Sequence, residues 1–218
     1  MNKYIVRILL TCIVVSALAF SCRAYAQESS TTIRLPAPDT AGGKPLMQAL
    51  KERKTSRSFS EKTLSPQVLS NLLWAAFGVN RPDGHRTAPS AMNWQEIDLF
   101  VATKEGLYLY DAASHSLAFV LKEDLREKTG SQNFVKDAPV TIVYVADLSK
   151  TKRAGKDDQT LYTGADCGFI AQNVYLYCAS EGLACVVRGS VDRPSLGKVM
   201  NLRAEQRIIL AQTIGYPK

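Results

Sequence analysis

Residues 139–146 read PVTIVYVA, a nearly continuous apolar run rich in β-branched side chains and free of charge. A run of that length and composition reads as a strand covered on both faces, and so as the centre of a sheet. Toward the N-terminus, Ile97–Ala102 and Leu107–Asp111 are separated by the turn Lys104-Glu105-Gly106 and predict a hairpin, which Ser116–Leu121 extends as a meander. Toward the C-terminus, Thr160–Glu181 predicts the longest helix. It is apolar nearly all round through Phe169, Ile170, Val174, Leu176 and Tyr177, and it is closed by Gly182. A helix apolar on most sides is enclosed by partners, here including a subunit interface. Two further strands, Leu183–Val187 and Arg207–Ile214, flank a short helix over Pro194–Met200. Hairpins beside long crossings, with helices interleaved irregularly, indicate an α+β fold rather than a doubly wound parallel sheet.

Before the hairpin, Leu46, Met47 and Leu50 predict a helix over Pro45–Lys54. Ser65-Pro66 supplies an N-cap and a proline at the first helical position for a helix carrying Val68, Leu69, Leu72, Leu73 and Ala76 on one face, with Gly78 as its stop. Asn80–Asn93, rich in Pro, Gly, Asn and Ser, is a long loop of the kind that often carries function.

The first 26 residues have the layout of a secretory signal: Lys3 and Arg7, the apolar run Ile8–Phe20, and Ala24-Tyr25-Ala26 as a cleavage site. The expectation is an exported, periplasmic protein, with lipoprotein anchoring at Cys22 as the alternative. Residues 27–44 form an extended leader, and 45–218 a single domain. Without residues 1–26 the formal charge falls from +7 to +4, because that segment holds Lys3, Arg7 and Arg23 and no acid. The surplus is spread along the chain, which argues against a nucleic acid partner. Cys167, Cys178 and Cys185 remain. Their odd count argues against a disulfide framework, one pair staying possible, and their spacing with His85 and His115 fits no metal site.

Residues 52–59, ERKTSRSF, crowd three cations and three hydroxyls into the space of two helical turns. A solvated helix end accounts for this; so does a grip on an anion such as a phosphate. Nucleophile-elbow and glycine-rich phosphate motifs are absent, and Asp166 and Glu181 stand too far apart on their helix to act as a local carboxylate pair. The chemistry therefore falls to a cofactor.

Arg53-Lys54-Thr55-Ser56-Arg57 resembles the basic signature near the start of the nitroreductase family of flavoproteins. Ala88-Pro89-Ser90-Ala91-Met92-Asn93-Trp94-Gln95 is similar to that family's Pro-Ser-x-x-Asn-x-Gln loop. Asp137-Ala138-Pro139, the helix Asp166–Gly182 and Ile214-Gly215-Tyr216-Pro217 match further segments in family order. The resemblance implies a central, mainly antiparallel sheet flanked by helices, with the long helix (about 160–181) at the interface of a homodimer. It implies flavin mononucleotide (FMN) as cofactor. Arg53, Lys54 and Thr55 would meet the phosphate and ribityl groups and Arg57 the pyrimidine edge. Pro89, Ser90, Ala91 and Asn93 would reach the neighbouring subunit's flavin. Val187, Arg188 and Gly189 would lie against the ring with the Gly189 N–H facing N5, and Lys218 would stand in for a late phosphate-binding cation. No side chain is implied as catalytic. Hydride would pass through flavin N5 from NAD(P)H to a nitroaromatic or quinone. Alternatives are an exported flavin carrier without turnover, or a member of the SagB-type dehydrogenase branch, which oxidises azoline rings in peptides.

Overall fold

The computed structural model describes residues 32–218; the signal-like segment and the start of the leader lie outside the described residues. In chain order the elements are β1 (Thr32–Arg34), α1 (Leu46–Glu52), α2 (Pro66–Phe77), β2 (Ile97–Ala102), β3 (Leu107–Asp111), β4 (Ser116–Leu121), β5 (Val140–Asp147), α3 (Lys156–Glu181), β6 (Ala184–Arg188), α4 (Arg193–Val199) and β7 (Gln206–Gly215), with short 3-10 turns between. The strands form one sheet in the order β1-β4-β3-β2-β5-β7-β6. All neighbouring pairs are antiparallel.

PVTIVYVA lies at the middle of this sheet as β5, buried at every position from Val140 to Asp147. Its run is continuous because both faces are covered. Ile142, Tyr144 and Ala146 pack with Leu72 and Leu73 of α2 and Cys167, Ile170 and Val174 of α3. Val143 and Val145 point the other way, against Leu125, and Leu196 and Met200 at α4.

The long helix begins at Lys156, one turn before the apolar pattern starts. Asp157 and Asp158 occupy that first turn, where they suit the positive end of the helix dipole. Its sheet-facing stripe is Thr163, Asp166, Cys167, Ile170, Ala171, Val174 and Cys178. Gly182, at φ 70, ends it in the left-handed conformation that glycine adopts without strain. The outer side is less enclosed than the sequence suggested, since Leu161, Tyr162 and Phe169 are exposed. Among the described residues, no helix is long and apolar enough to cross a membrane.

Residues 32–44 are tied down. Thr32–Arg34 adds an edge strand to β4. Pro36 O accepts from Ser70 Oγ, Asp39 N donates to Asn71 Oδ1, and Lys44 N donates to Ser180 Oγ. Ser65 caps α2 as its sequence implied, its side chain accepting from Val68 N at 3.3 Å. Ser65→Ala is expected to cost about 1 kcal/mol, read as a lower denaturation midpoint at unchanged slope.

Candidate functional site

After α1 the chain leaves helical geometry at Arg53 and runs along the free edge of the sheet. Ser56 N donates to Cys185 O on β6 at 3.0 Å, and Ser60 N donates to Tyr216 O beyond β7 at 2.9 Å. Docking there satisfies an edge that would otherwise stay open to pairing. The basic segment is thereby brought against α3, and Tyr175 joins the parts. The Arg53 guanidinium lies 5.2 Å from the centre of its ring. The Tyr175 hydroxyl shares a 3.0 Å hydrogen bond with Thr55 Oγ1 and accepts from Val187 N at 2.9 Å. Sequence reading missed Tyr175, because one tyrosine in an apolar helix gives no sign of which strand it will meet.

A cavity of about 440 Å³ opens beside this junction, lined by Lys44, Glu52, Lys54, Ser56, Tyr175 and Pro217 among others. Hydrogen bonds from Lys44 and Gln48 hold the Glu52 carboxyl below its usual range. Among the described residues Arg53, Lys54 and Arg57 have no ion-pair partner. Lys54, Thr55 and Arg57 are exposed, and so are Gly189 and the terminal Lys218 that follows Pro217. These are donors left free for an anion.

Arg188 behaves differently from its neighbours. Its side chain is 4% exposed and turns into the protein, donating to Thr129 O (2.8 Å), Thr129 Oγ1 (3.3 Å) and Thr213 Oγ1 (2.7 Å). Its Nε has no partner. A Cβ on Gly130 would collide with the guanidinium, so only glycine leaves it room. Burial lowers its pKa to about 10, so it remains a cation at neutral pH. Of the Val187–Gly189 segment, residue 188 can therefore offer a ligand its main chain and not its side chain.

The loop Pro89–Gln95 sits elsewhere. Ser90 Oγ accepts from Gln95 N (2.8 Å) and donates to Glu96 Oε2 (3.2 Å), while Ala91 N donates to Asp166 Oδ2 (2.8 Å). Asn93 N donates to Ser90 O, and Asn93 Oδ1 accepts from Gln95 Nε2. Met92, Asn93 and Gln95 all have positive φ, at 50, 54 and 48°. Such backbone is costly for residues other than glycine, and it persists only where surroundings enforce it.

Beneath the loop lie Glu96 and Asp166, 0% and 3% exposed. Burial, with the Asp166 charge adding to it, raises the Glu96 pKa to about 7. The carboxylate pair that helix spacing ruled out for Asp166 with Glu181 thus exists between Asp166 and Glu96, 70 positions away. Helix spacing and strand pattern give no sign of which acid Asp166 will meet. Asp166 and Tyr175 are nine residues apart on α3, about 13 Å along its axis. Arg53, Lys54 and Thr55 gather with Val187 and Pro217 around the Tyr175 end. Pro89, Ser90, Ala91 and Asn93 gather around the Asp166 end, and among the described residues no hydrogen bond joins the two groups.

His115 bridges Ser70 Oγ and Tyr110 OH, a structural placement. Cys167, Cys178 and Cys185 are buried free thiols.

The sequence profile of the nitroreductase family matches residues 50–216, from α1 through the end of β7. The chain belongs to the nitroreductase family. Its fold matches that of a nitroreductase from Ralstonia eutropha with a TM-score of 0.83 and 43% identity, over 88% of this chain and 93% of that one. A Methanocaldococcus jannaschii protein named as a nitroreductase is 28% identical over 182 residues, 79% of this chain and 91% of its own. An Anabaena variabilis nitroreductase structure shares the fold at a TM-score of 0.74 and 21% identity, over 88% of this chain and 42% of that longer one. Membership makes this protein an oxidoreductase of a flavin-using family.

Proposed function

We propose that this nitroreductase is an FMN-dependent homodimer that passes hydride equivalents from a reduced nicotinamide donor to a nitroaromatic or quinone acceptor. The observation that carries the reading is the set of unpaired cations, Arg53, Lys54 and Arg57, on a segment docked against β6, the strand that leads to the exposed Gly189. That donor set suits a phosphorylated cofactor, and the adjoining cavity supplies room. Arg53 and Lys54 would neutralise the phosphate, and Lys218 stands close enough in sequence to the cavity wall to assist. Thr55 would bond the ribityl hydroxyls. Arg57 would place positive charge at the pyrimidine edge, and Gly189 N–H would donate toward the ring. Bound FMN would supply hydride acceptance and donation at N5.

Dimerisation is supported by unpartnered apolar surface on α1 and α3. Leu46, Met47 and Leu50 are exposed on the former, and Leu161 (64%), Tyr162 and Phe169 (47%) on the latter. Gly164 and Gly168 face open space on the same helix, which permits close approach of another helix. A second subunit would bring its own Pro89, Ser90, Ala91 and Asn93 to the flavin, which suits their separation from the cations within one chain. The reading includes export, supported by the basic, apolar and small-residue order of residues 1–26, and N-terminal sequencing of mature protein tests it.

Arg53→Ala is expected to weaken FMN binding about 10- to 100-fold, the loss of one charge-assisted contact, with an unchanged circular dichroism spectrum. Titration calorimetry reads it, and an unaltered affinity would contradict the phosphate role. Turnover of a nitroaromatic or quinone with supplied NADPH separates the enzyme from a flavin carrier.

A further inference from the structure

The loop Pro89–Gln95 holds three left-handed residues, and while Gln95 is tied to Arg86, Gly84 and Lys150, the outside anchors of Ser90 and Ala91 end on one buried carboxyl pair. We propose that Glu96, buried beside Asp166, forms a proton-dependent latch: with Glu96 protonated the pair holds the loop in its strained turn, and with Glu96 ionised the pair releases it. The consequence for cofactor capture rests on the flavin reading above.

The geometry supports a latch over an inert core contact. Among the described residues neither carboxyl has a cationic partner. Glu96 Oε1 is buried without any donor. A doubly ionised pair therefore has to admit water, since one donor apiece, Ser90 Oγ and Ala91 N, does not compensate two adjacent buried charges. The groups packed around it cannot substitute. On α3 the neighbour is the Cys167 thiol, itself pushed up to about 12 by burial and by both acids. On the loop side Arg86 Nε is committed to Gln95 Oε1. From β2 and the segment after β5, Lys150 is bound to Gln95 O and Asp98, and Asp147 is paired with Arg203. β2, β5 and α3 are held by ladder and helix hydrogen bonds and Gln95 by Arg86, Gly84 and Lys150, so residues 89–94 are the wall with least to lose by moving. Burial and mutual charge place the transition near neutrality, with Glu96 titrating at about 7.

Trp94 ends the loop and meets Tyr162 of α3 edge to face, ring centres 6.0 Å apart, so it reports the loop without any cofactor. The test is Trp94 emission in a Trp74→Phe background, together with hydrogen exchange at Ala91 N corrected for its intrinsic rate, from pH 6 to 9. A shift centred near pH 7 is expected, with the open population rising about tenfold per pH unit above it. Glu96→Gln, which can still donate to Asp166 but does not titrate, is expected to abolish that dependence. FMN affinity should weaken over the same range in the wild type and stay level in Glu96→Gln. Invariant emission in the wild type, the same transition in Glu96→Gln, or a pH-independent FMN affinity overturns the latch. Failure to bind FMN at any pH counts against the flavin reading alone, and the Trp94 titration then decides the latch.

Discussion

Arg188→Ala is expected to lower the unfolding free energy by about 3 kcal/mol, whereas Arg188→Met should stay within about 1 kcal/mol of the wild type. Alanine strands the Thr129 carbonyl, leaves the Thr213 hydroxyl with only its bond to Thr141, and opens a cavity where the stem packs. Relief of the buried charge offsets part of that loss. The guanidinium has no carboxylate partner and an unpaired Nε, and its depressed pKa records what burial costs the charged form. Methionine removes the same donors, but it keeps most of the stem volume and removes the charge, so desolvation relief nearly offsets the loss of the hydrogen bonds. Urea denaturation of the two variants decides the matter. Equal losses would mean that the guanidinium hydrogen bonds, rather than the stem, dominate.

Folding stability should fall as pH rises through neutrality, and Glu96 is the cause. Its folded pKa of about 7 lies above the ordinary 4.5, so the native state binds its proton more tightly than the unfolded chain does. That contribution is complete below pH 4.5 and is lost as pH rises through about 7. At 1.36 kcal/mol per unit, the loss amounts to about 3 kcal/mol. His115 acts in the opposite sense. Burial lowers its pKa, so its contribution grows as pH rises toward its ordinary value of 6.5. Acids with lowered pKa values, such as Asp111, Asp124 and Asp147, are already ionised above pH 5 and contribute no slope there. The difference between wild type and Glu96→Gln isolates the effect. Denaturation at pH 5 and pH 8 should show the gap between them changing by about 3 kcal/mol, and a constant gap would remove Glu96 as the source.

Much of the fold was legible because it is written locally. The hairpin at 97–111, the Ser65 cap, the buried strand at 139–146 and the glycine stop at 182 each depend on residues a few positions apart, and each appears within a residue or two of its expected place. The first turn of α3 was not legible, since Lys156–Gln159 is polar and carries no apolar period. Nor was the pairing of Thr32–Arg34 with β4, a three-residue strand exposed throughout. Membership of the nitroreductase family was equally readable, because its motifs are short and ordered along the chain.

The sequence by itself determined the α+β class, the position of the central strand and the residues that form the basic cluster. Only the tertiary structure decided that Tyr175 ties Thr55 to Val187, that Arg188 turns inward, and that Glu96 and Asp166 are buried together under the loop. The reason is physical. Propensity and periodicity act over a turn or a pleat, but a buried polar group is stabilised by whichever partner the topology delivers, here 120 positions away for Thr55 with Tyr175, 59 for Arg188 with Thr129 and 75 for Ala91 with Asp166.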